Sequence, residues 1–138
     1  EAAGQGAVRD HGARCLRDCK RHFLITSIGA LCDDALHERL LAAASSSGTQ
    51  LLLAAGAMPA MDWMSAAALE AVEEVTITQT KKPDGWVGTP AEEQVDLASL
   101  TEPVTIFEGF AREAATRYPK NANVAAALAL ATVGLDAT

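Results

Sequence analysis

The residues best suited to hold a ligand lie in one short segment, Tyr118-Pro-Lys-Asn-Ala-Asn123. Lys120 brings an ammonium group, and Asn121 and Asn123 bring two amides, just before a stretch with the composition of a helix. The first turn of a helix has free backbone N–H groups and the positive end of the dipole, so it can hold an anion or a carboxamide. The alternative is structural: one asparagine caps the helix and binds nothing.

A second candidate is the segment Ala55-Gly-Ala-Met-Pro59, which directly follows an apolar run. In open α/β sheets, ligands bind beyond the carboxyl ends of the strands. Gly56 and Ala57 are small enough to let the backbone approach a cofactor closely. A plain turn between a strand and a loop, built from small residues, would explain the same segment.

Other kinds of chemistry find no support in the sequence. Three histidines, His11, His22 and His37, form no HxxxH or HExxH pair, and they are expected at the surface. Cys15 and Cys19 stand four apart on one predicted helix without further ligands, so no metal site is expected. The chain contains no GxSxG, no phosphate-binding P-loop and no GxGxxG. These residues therefore indicate neither a hydrolase nor a phosphate cradle.

The first 55 residues predict the elements that position the second candidate. In chain order they predict a helix over 6–20, a strand over 22–28, a helix that opens at Asp33 and Asp34 and ends at 45–48, and a strand over 50–55. Both strands are almost continuously apolar, which is typical of parallel strands covered on both faces. This alternation predicts part of a doubly wound parallel sheet.

The remaining residues, 56–138, predict a different arrangement. They predict a helix capped near Asp62, alternating strands over 74–80 and 101–109, a loop over 81–91, a helix over 110–117 and a helix over 121–133. The last helix is apolar nearly all round, so we expect it to be buried. The fold class predicted is α/β plus α+β, with domains at 1–55 and 56–138.

Composition limits the function classes. The 138 residues are 49% hydrophobic and 21% charged, which excludes a disordered chain, and no apolar run reaches the roughly 18 residues of a membrane span. The net charge is −7, with five basic and twelve acidic residues after position 40, so we expect no nucleic-acid partner. Three cysteines without a CxxC pair favour a reducing cytoplasm. Glu1 in place of Met indicates truncation at the N-terminus.

The sequence resembles the L-aspartate dehydrogenase family through motifs in the same order along the chain. Glu1-Ala-Ala-Gly4 is similar to the family's loop after a cofactor-domain strand. The other matching segments, with the family patterns in parentheses, are Ser27 to Leu31 (SVGAL), Gly56 to Asp62 (GAIGxxD), Lys81 to Pro90 (KP…WxGTP), Phe107 to Ala114 (FEGSAREA), Tyr118 to Ala126 (YPKNANVAA) and Gly134 to Asp136 (GLD). They are distributed over essentially all 138 residues.

This resemblance implies a part of an NAD(P)-dependent enzyme. The family pairs a Rossmann domain with an α+β substrate and oligomerisation domain, so residues 1–55 would be the C-terminal part of the Rossmann-like sheet. Its Gly-rich loop lies upstream of Glu1 and its catalytic histidine downstream of Thr138. By match to the family motifs, Ala57 and Asn123 are expected to contact NAD or NADP, and Lys120 and Asn121 the substrate.

The implied reaction is oxidative deamination of L-aspartate to iminosuccinate, which gives oxaloacetate and ammonia or feeds NAD synthesis. We expect a cytoplasmic homo-oligomer, no membrane partner, and no activity from the 138-residue chain alone. Two departures stand out: Pro59 replaces a family glycine, and Phe110 a small serine. The alternatives are a related two-domain dehydrogenase with another amino or hydroxy acid substrate, and a non-catalytic fragment or dimerisation module.

Overall fold

The computed structural model describes residues 1–138, and it contains five α-helices and a two-stranded sheet. The elements are α1 (Gln5–Cys19), β1 (Phe23–Ile25), a 3₁₀ turn (Ile28–Cys32), α2 (Asp34–Ser47), β2 (Leu51–Leu53), α3 (Met61–Ala67), 3₁₀ turns at Pro83–Trp86 and Pro90–Glu93, α4 (Ala111–Arg117) and α5 (Asn123–Ala131). The strands pair in parallel, with Phe23 opposite Leu51. The predicted α/β class with parallel strands is confirmed. We refer to Ile28–Cys32 as the β1–α2 turn.

Helices α1 and α2 pack together over one face of the sheet. Val8 and Leu16 from α1 and Leu40 from α2 are fully buried with Ile25 of β1 in one apolar cluster. Because side chains alternate along a strand, Leu24 points away from this cluster, and it is 49% exposed. The prediction that both faces of the strands are covered is therefore wrong for this chain.

The start and the end of α2 follow the local rules predicted from the sequence. The Asp33 carboxylate accepts a hydrogen bond from the backbone N–H of Leu36 at 3.1 Å, and so caps the first turn. At the other end, Gly48 adopts a left-handed conformation with φ +66°, which closes the helix after Ser47. Both ends confirm the predicted boundaries.

Helix α5 lies at the centre of a second apolar cluster. Its buried residues are Ala125, Ala126, Ala127, Leu128 and Ala129, which confirms the predicted burial. The cluster joins alanines of α5 to Ala111 of α4, Leu135 near the end of the chain, and Ile28 of the β1–α2 turn. The turn after β1 therefore packs against the second half of the chain.

The two strands predicted in the second half are absent. Residues 74–80 and 101–109 form no strand, and no backbone hydrogen bond joins either to a neighbouring segment. The alternation itself is present over 74–80: Val75 and Ile77 are partly buried, and Thr76 and Thr78 are exposed. A strand requires a hydrogen-bonded partner, and this chain supplies none to either segment.

Arg112 of α4 ties the two halves together. Its Nε and Nη2 donate to the two carboxylate oxygens of Asp136 at 2.7 and 2.9 Å. Its Nη1 donates to the Cys32 carbonyl oxygen at 2.6 Å and to Asp34 Oδ1 at 3.1 Å. A bidentate arginine–carboxylate pair is both strong and directional. One side chain thus links the end of the chain, the β1–α2 turn and the start of α2.

None of the helices combines the length and the apolar character that crossing a bilayer requires.

Replacement of one core leucine should destabilise the fold, whereas replacement of its neighbour should not. Leu40 is fully buried, so Leu40→Ala should lower the free energy of unfolding by about 2–5 kcal/mol through lost burial and a residual cavity. Leu41, next in sequence, is 49% exposed, and Leu41→Ala should cost no more than about 0.5 kcal/mol. Urea unfolding of the three proteins measures this. Equal losses for both variants would contradict the packing described.

Acid should weaken the contribution of Asp136 to the stability of the folded protein. The Arg112 guanidinium holds the pKa of the Asp136 carboxyl below its ordinary value, mainly through their hydrogen bonds. A carboxyl with a lowered pKa in the folded state stabilises the protein above its unfolded pKa of about 3.9, and this stabilisation disappears as pH falls through the folded value.

Asp136→Asn should therefore unfold more easily than the parent at neutral pH, and the difference should shrink below about pH 4. Thermal unfolding at a series of pH values tests this. Asp10→Asn is the matched control, because Asp10 is exposed and its carboxylate makes no ion pair or hydrogen bond. A difference for Asp136→Asn that stays constant on acidification would argue against the Arg112 pair.

Candidate functional site

Asn123 contacts the turn that follows β1. It is the first residue of α5, and its Oδ1 accepts a hydrogen bond from the backbone N–H of Gly29 at 2.9 Å. The N-cap residue is Ala122, and no side chain caps this helix. Neither asparagine therefore caps this helix, and the capping alternative is wrong. The Asn123 oxygen is held by Gly29, and its amide NH₂ group makes no hydrogen bond within the chain.

Gly29 is required for this close approach. A Cβ atom at position 29 would lie 3.1 Å from Asn123 Oδ1 and 2.5 Å from Nε2 of Gln5. Gln5, at the start of α1, in turn donates to the Pro119 carbonyl oxygen at 3.1 Å. The start of α1, the β1–α2 turn and the segment before α5 thus meet around one glycine.

Asn121, one of the two predicted substrate residues, contacts a lysine that was not predicted as a site residue. Asn121 Oδ1 accepts a hydrogen bond from Lys81 Nζ at 2.5 Å, across 40 residues of sequence. Lys120 is exposed, and its ammonium makes no hydrogen bond or ion pair. The structure therefore places the Lys81 ammonium beside Asn121, the residue that follows Lys120 in the chain. The Lys81 to Pro90 motif was the sequence signal for this residue, but it gave no indication of a role.

An aromatic cluster fixes the loop that carries Lys81. Tyr118 is buried, and its ring meets Trp86 edge to face at a centroid distance of 5.6 Å and Phe107 at 5.9 Å. The Tyr118 hydroxyl is hydrogen-bonded to the Gln94 side chain at 3.0 Å. Lys81 Nζ lies 5.8 Å from the centre of the Trp86 ring. Tyr118 therefore holds the loop against the segment that contains Lys120.

Ala57 lies in an exposed turn beyond β2. Gly56 has φ +63°, and the backbone N–H of Met58 donates to the Ala55 carbonyl oxygen at 3.2 Å. Ala57 has no hydrogen bond to residues 118–123. A cavity beside this turn is lined by residues from the end of β2, from α3 and from α5, namely Leu53, Ala54, Ala55, Met61, Asp62, Ser65, Ala127, Leu130 and Ala131. The segments on either side of the turn thus lie near the second half of α5, whereas Asn123 lies at its start.

The two departures from the family pattern both lie at exposed positions. Pro59 is followed by Ala60, which adopts a left-handed φ of +59° and precedes α3. Helix α3 starts at Met61, so Asp62 lies in its first turn and is not the predicted cap. Phe110 precedes α4 and is 54% exposed.

Cys32 in the β1–α2 turn is not suited to be a nucleophile. Burial raises the pKa of its thiol, an effect that the nearby Arg112 only partly opposes. The reactive form of cysteine is the thiolate, so a raised pKa keeps Cys32 protonated at neutral pH. No group of three metal-binding side chains is present either.

Comparison with known proteins places this site in a family. Residues 62–138 match the family described as aspartate dehydrogenase, C-terminal. The chain is 49% identical over its whole length to the L-aspartate dehydrogenase of Ruegeria pomeroyi, of which it covers 50%. It is 45% identical to the L-aspartate dehydrogenase of Pseudomonas aeruginosa, again over the whole chain and 51% of the relative.

A solved structure supports the same assignment. The crystal structure of aspartate dehydrogenase from Thermotoga maritima superposes with a TM-score of 0.75 at 26% identity, over 98% of this chain and 52% of that one. The chain thus spans about half the length of these relatives. The family match covers more than half of the 138 residues, and the resemblance of the sequence motifs is confirmed. This chain belongs to the aspartate dehydrogenase family.

Proposed function

We propose that this chain forms the cofactor-facing and substrate-facing part of an NAD(P)-dependent L-aspartate dehydrogenase. The observation that carries the proposal is the Asn123 amide: its oxygen is held at 2.9 Å by Gly29, and its NH₂ group remains as a donor. A nicotinamide carboxamide needs such a donor for its oxygen. The names of the relatives, L-aspartate dehydrogenase, support the substrate.

The proposed reaction is the oxidative deamination of L-aspartate. A bound nicotinamide would supply the acceptor for the hydride of the α-carbon. The amine loses a proton, and the product iminosuccinate takes up water to give oxaloacetate and ammonia. This supply of iminosuccinate would also connect the enzyme to NAD synthesis. The main task of the chain is to hold the two reactants in a productive geometry.

Each site residue has a proposed role. Asn123 binds the nicotinamide amide, and the Ala57 backbone contacts the cofactor beyond β2. Lys120 pairs with a substrate carboxylate, because its ammonium is exposed and has no carboxylate partner. Asn121 donates its NH₂ group to the substrate, since its oxygen already accepts from Lys81. None of the four is proposed as the proton-transfer group, for which the family resemblance implies a histidine beyond Thr138.

The proposal includes the organisation of the protein. We assign residues 1–55 to a cofactor domain and 56–138 to a substrate and oligomerisation domain, because the first apolar cluster is built from residues between Val8 and Ala44. Exposed apolar side chains in the second part, such as Trp63 and Leu69 at 77% and 87%, support a homo-oligomer. Three free cysteines support the cytoplasm.

The proposed activity predicts a specific substrate profile. The intact protein should reduce NAD⁺ or NADP⁺ in the presence of L-aspartate, and it should be much less active with L-alanine, L-glutamate or L-malate. Absorbance of the reduced cofactor measures this. A higher activity with another amino or hydroxy acid would show that this acid, and not aspartate, is the substrate. Absence of both turnover and cofactor binding would favour a non-catalytic module.

Two single variants should separate the roles of the two ligand groups. Asn123→Ala removes the acceptor for Gly29 and the proposed cofactor donor, so it should raise the KM for the cofactor by about tenfold or more. Lys120→Ala should instead raise the KM for L-aspartate by a similar factor, with little change in the KM for the cofactor.

Steady-state kinetics with each substrate varied in turn distinguishes these effects. Lys20→Ala is a matched control, because Lys20 is an exposed lysine in the first half whose side chain makes no hydrogen bond or ion pair. An unchanged aspartate KM in Lys120→Ala would remove Lys120 from the site.

A further inference from the structure

Asn121 is linked to two lysines that are far apart in sequence, to Lys120 by the chain and to Lys81 by a hydrogen bond. Lys120 precedes Asn121 in the chain, and Lys81 donates to the Asn121 side chain at 2.5 Å. We infer that Lys81 and Lys120 form a two-cation site for the two carboxylates of a dicarboxylate substrate, in which Lys81 selects dicarboxylates over monocarboxylates. This inference rests on the proposed function, since it assigns the second carboxylate contact of the same site.

The charge distribution supports a bound anion. The protein has a net charge of −7, and only five of its basic residues follow position 40. Three of these five are Lys81, Lys82 and Lys120, yet all three ion pairs in the structure involve arginine and none involves a lysine. Lys81 and Lys120 therefore have no carboxylate partner within the chain, and a dianion that pairs with both would supply their counter-charges.

Lys81 is held in position by its own surroundings. A Cβ atom at Gly85 would lie 3.4 Å from Lys81 Cβ, which places the start of the lysine side chain beside that glycine. Its ammonium group then lies near the face of Trp86, which packs on the buried Tyr118. A lysine that is already ordered loses less conformational entropy when a ligand binds.

The ammonium of Lys81 retains donors for a ligand. It carries three N–H groups, and Asn121 uses one of them. The next residue, Lys82, is exposed, and its side chain makes no hydrogen bond, ion pair or aromatic contact. Lys81 and Lys82 therefore have the same charge and almost the same place in the chain, but only Lys81 is directed to the site.

Binding of inert acids to the intact protein tests the inference without requiring turnover. Succinate carries two carboxylates and propionate carries one, and neither has an amine to oxidise. Trp63→Phe leaves Trp86 as the only tryptophan among residues 1–138, and the part of the fluorescence change that is lost when Trp86 is also replaced by Phe reports on ligands near Lys81. In this background, succinate should bind about ten- to a hundredfold more tightly than propionate.

Lys81→Met keeps an unbranched side chain but removes the charge, and it should abolish this preference while leaving propionate affinity nearly unchanged. Lys81→Arg should retain most of the preference, and Lys82→Met should behave like the parent. In kinetics, Lys81→Met should raise the KM for L-aspartate with little change in kcat. Calorimetric titration of the same variants with both acids gives a second measurement that does not depend on Trp86.

The outcomes separate this inference from the proposed function. If aspartate is oxidised but Lys81→Met weakens succinate and propionate equally, or acts no differently from Lys82→Met, the role of Lys81 is wrong and the dehydrogenase stands. If succinate preference depends on Lys81 in a protein that does not oxidise aspartate, the dicarboxylate site stands and the proposed reaction is wrong.

Discussion

The site depends on how the β1–α2 turn is fixed, and a single guanidinium does much of this. Arg112 binds both oxygens of Asp136 and also reaches the Cys32 carbonyl and Asp34, so it joins segments that are 24 to 80 residues apart. At the other end of the same turn, Gly29 donates to Asn123. The turn is therefore hydrogen-bonded near both of its ends to residues in the second half of the chain. The orientation of the Asn123 amide, the proposed hydrogen-bond donor to the cofactor, therefore depends on the contacts at both ends of this turn.

Local signals in the sequence were sufficient for most of the helices and for the sheet. Apolar spacing predicted α1 and α5, the Asp33 cap predicted the start of α2, and two apolar runs predicted a parallel pair. The predictions of strands over 74–80 and 101–109 were wrong for a physical reason. Alternation records which side chains face a packed surface, whereas a strand is defined by backbone pairing with a second segment. The prediction that both faces of the strands are covered was wrong for a similar reason: a continuous apolar run does not show what packs on each face, and Leu24 is exposed.

The site was predictable only in part. Spacing identified Lys120, Asn121 and Asn123 as polar groups before a helix, but it could not distinguish a cap from a ligand contact, because both use the same residue types at the same place. The partner of Asn123 lies 94 residues away, and the partner of Asn121 lies 40 residues away. Contacts over such separations arise from tertiary packing, which no local pattern in one sequence encodes. The family motifs located the segments but did not pair them.

The buried face of α5 consists almost entirely of alanine. Four of its five buried residues are alanines, which have no side-chain rotamers to restrict, so burying this helix costs almost no side-chain entropy. Alanines also leave no long side chains that could shift to absorb a displacement of the neighbouring turn or of α4. The contacts of these alanines with the neighbouring segments are therefore set mainly by how closely the backbones approach. Because Asn123 is the first residue of α5, the position of its amide follows that of this closely packed helix.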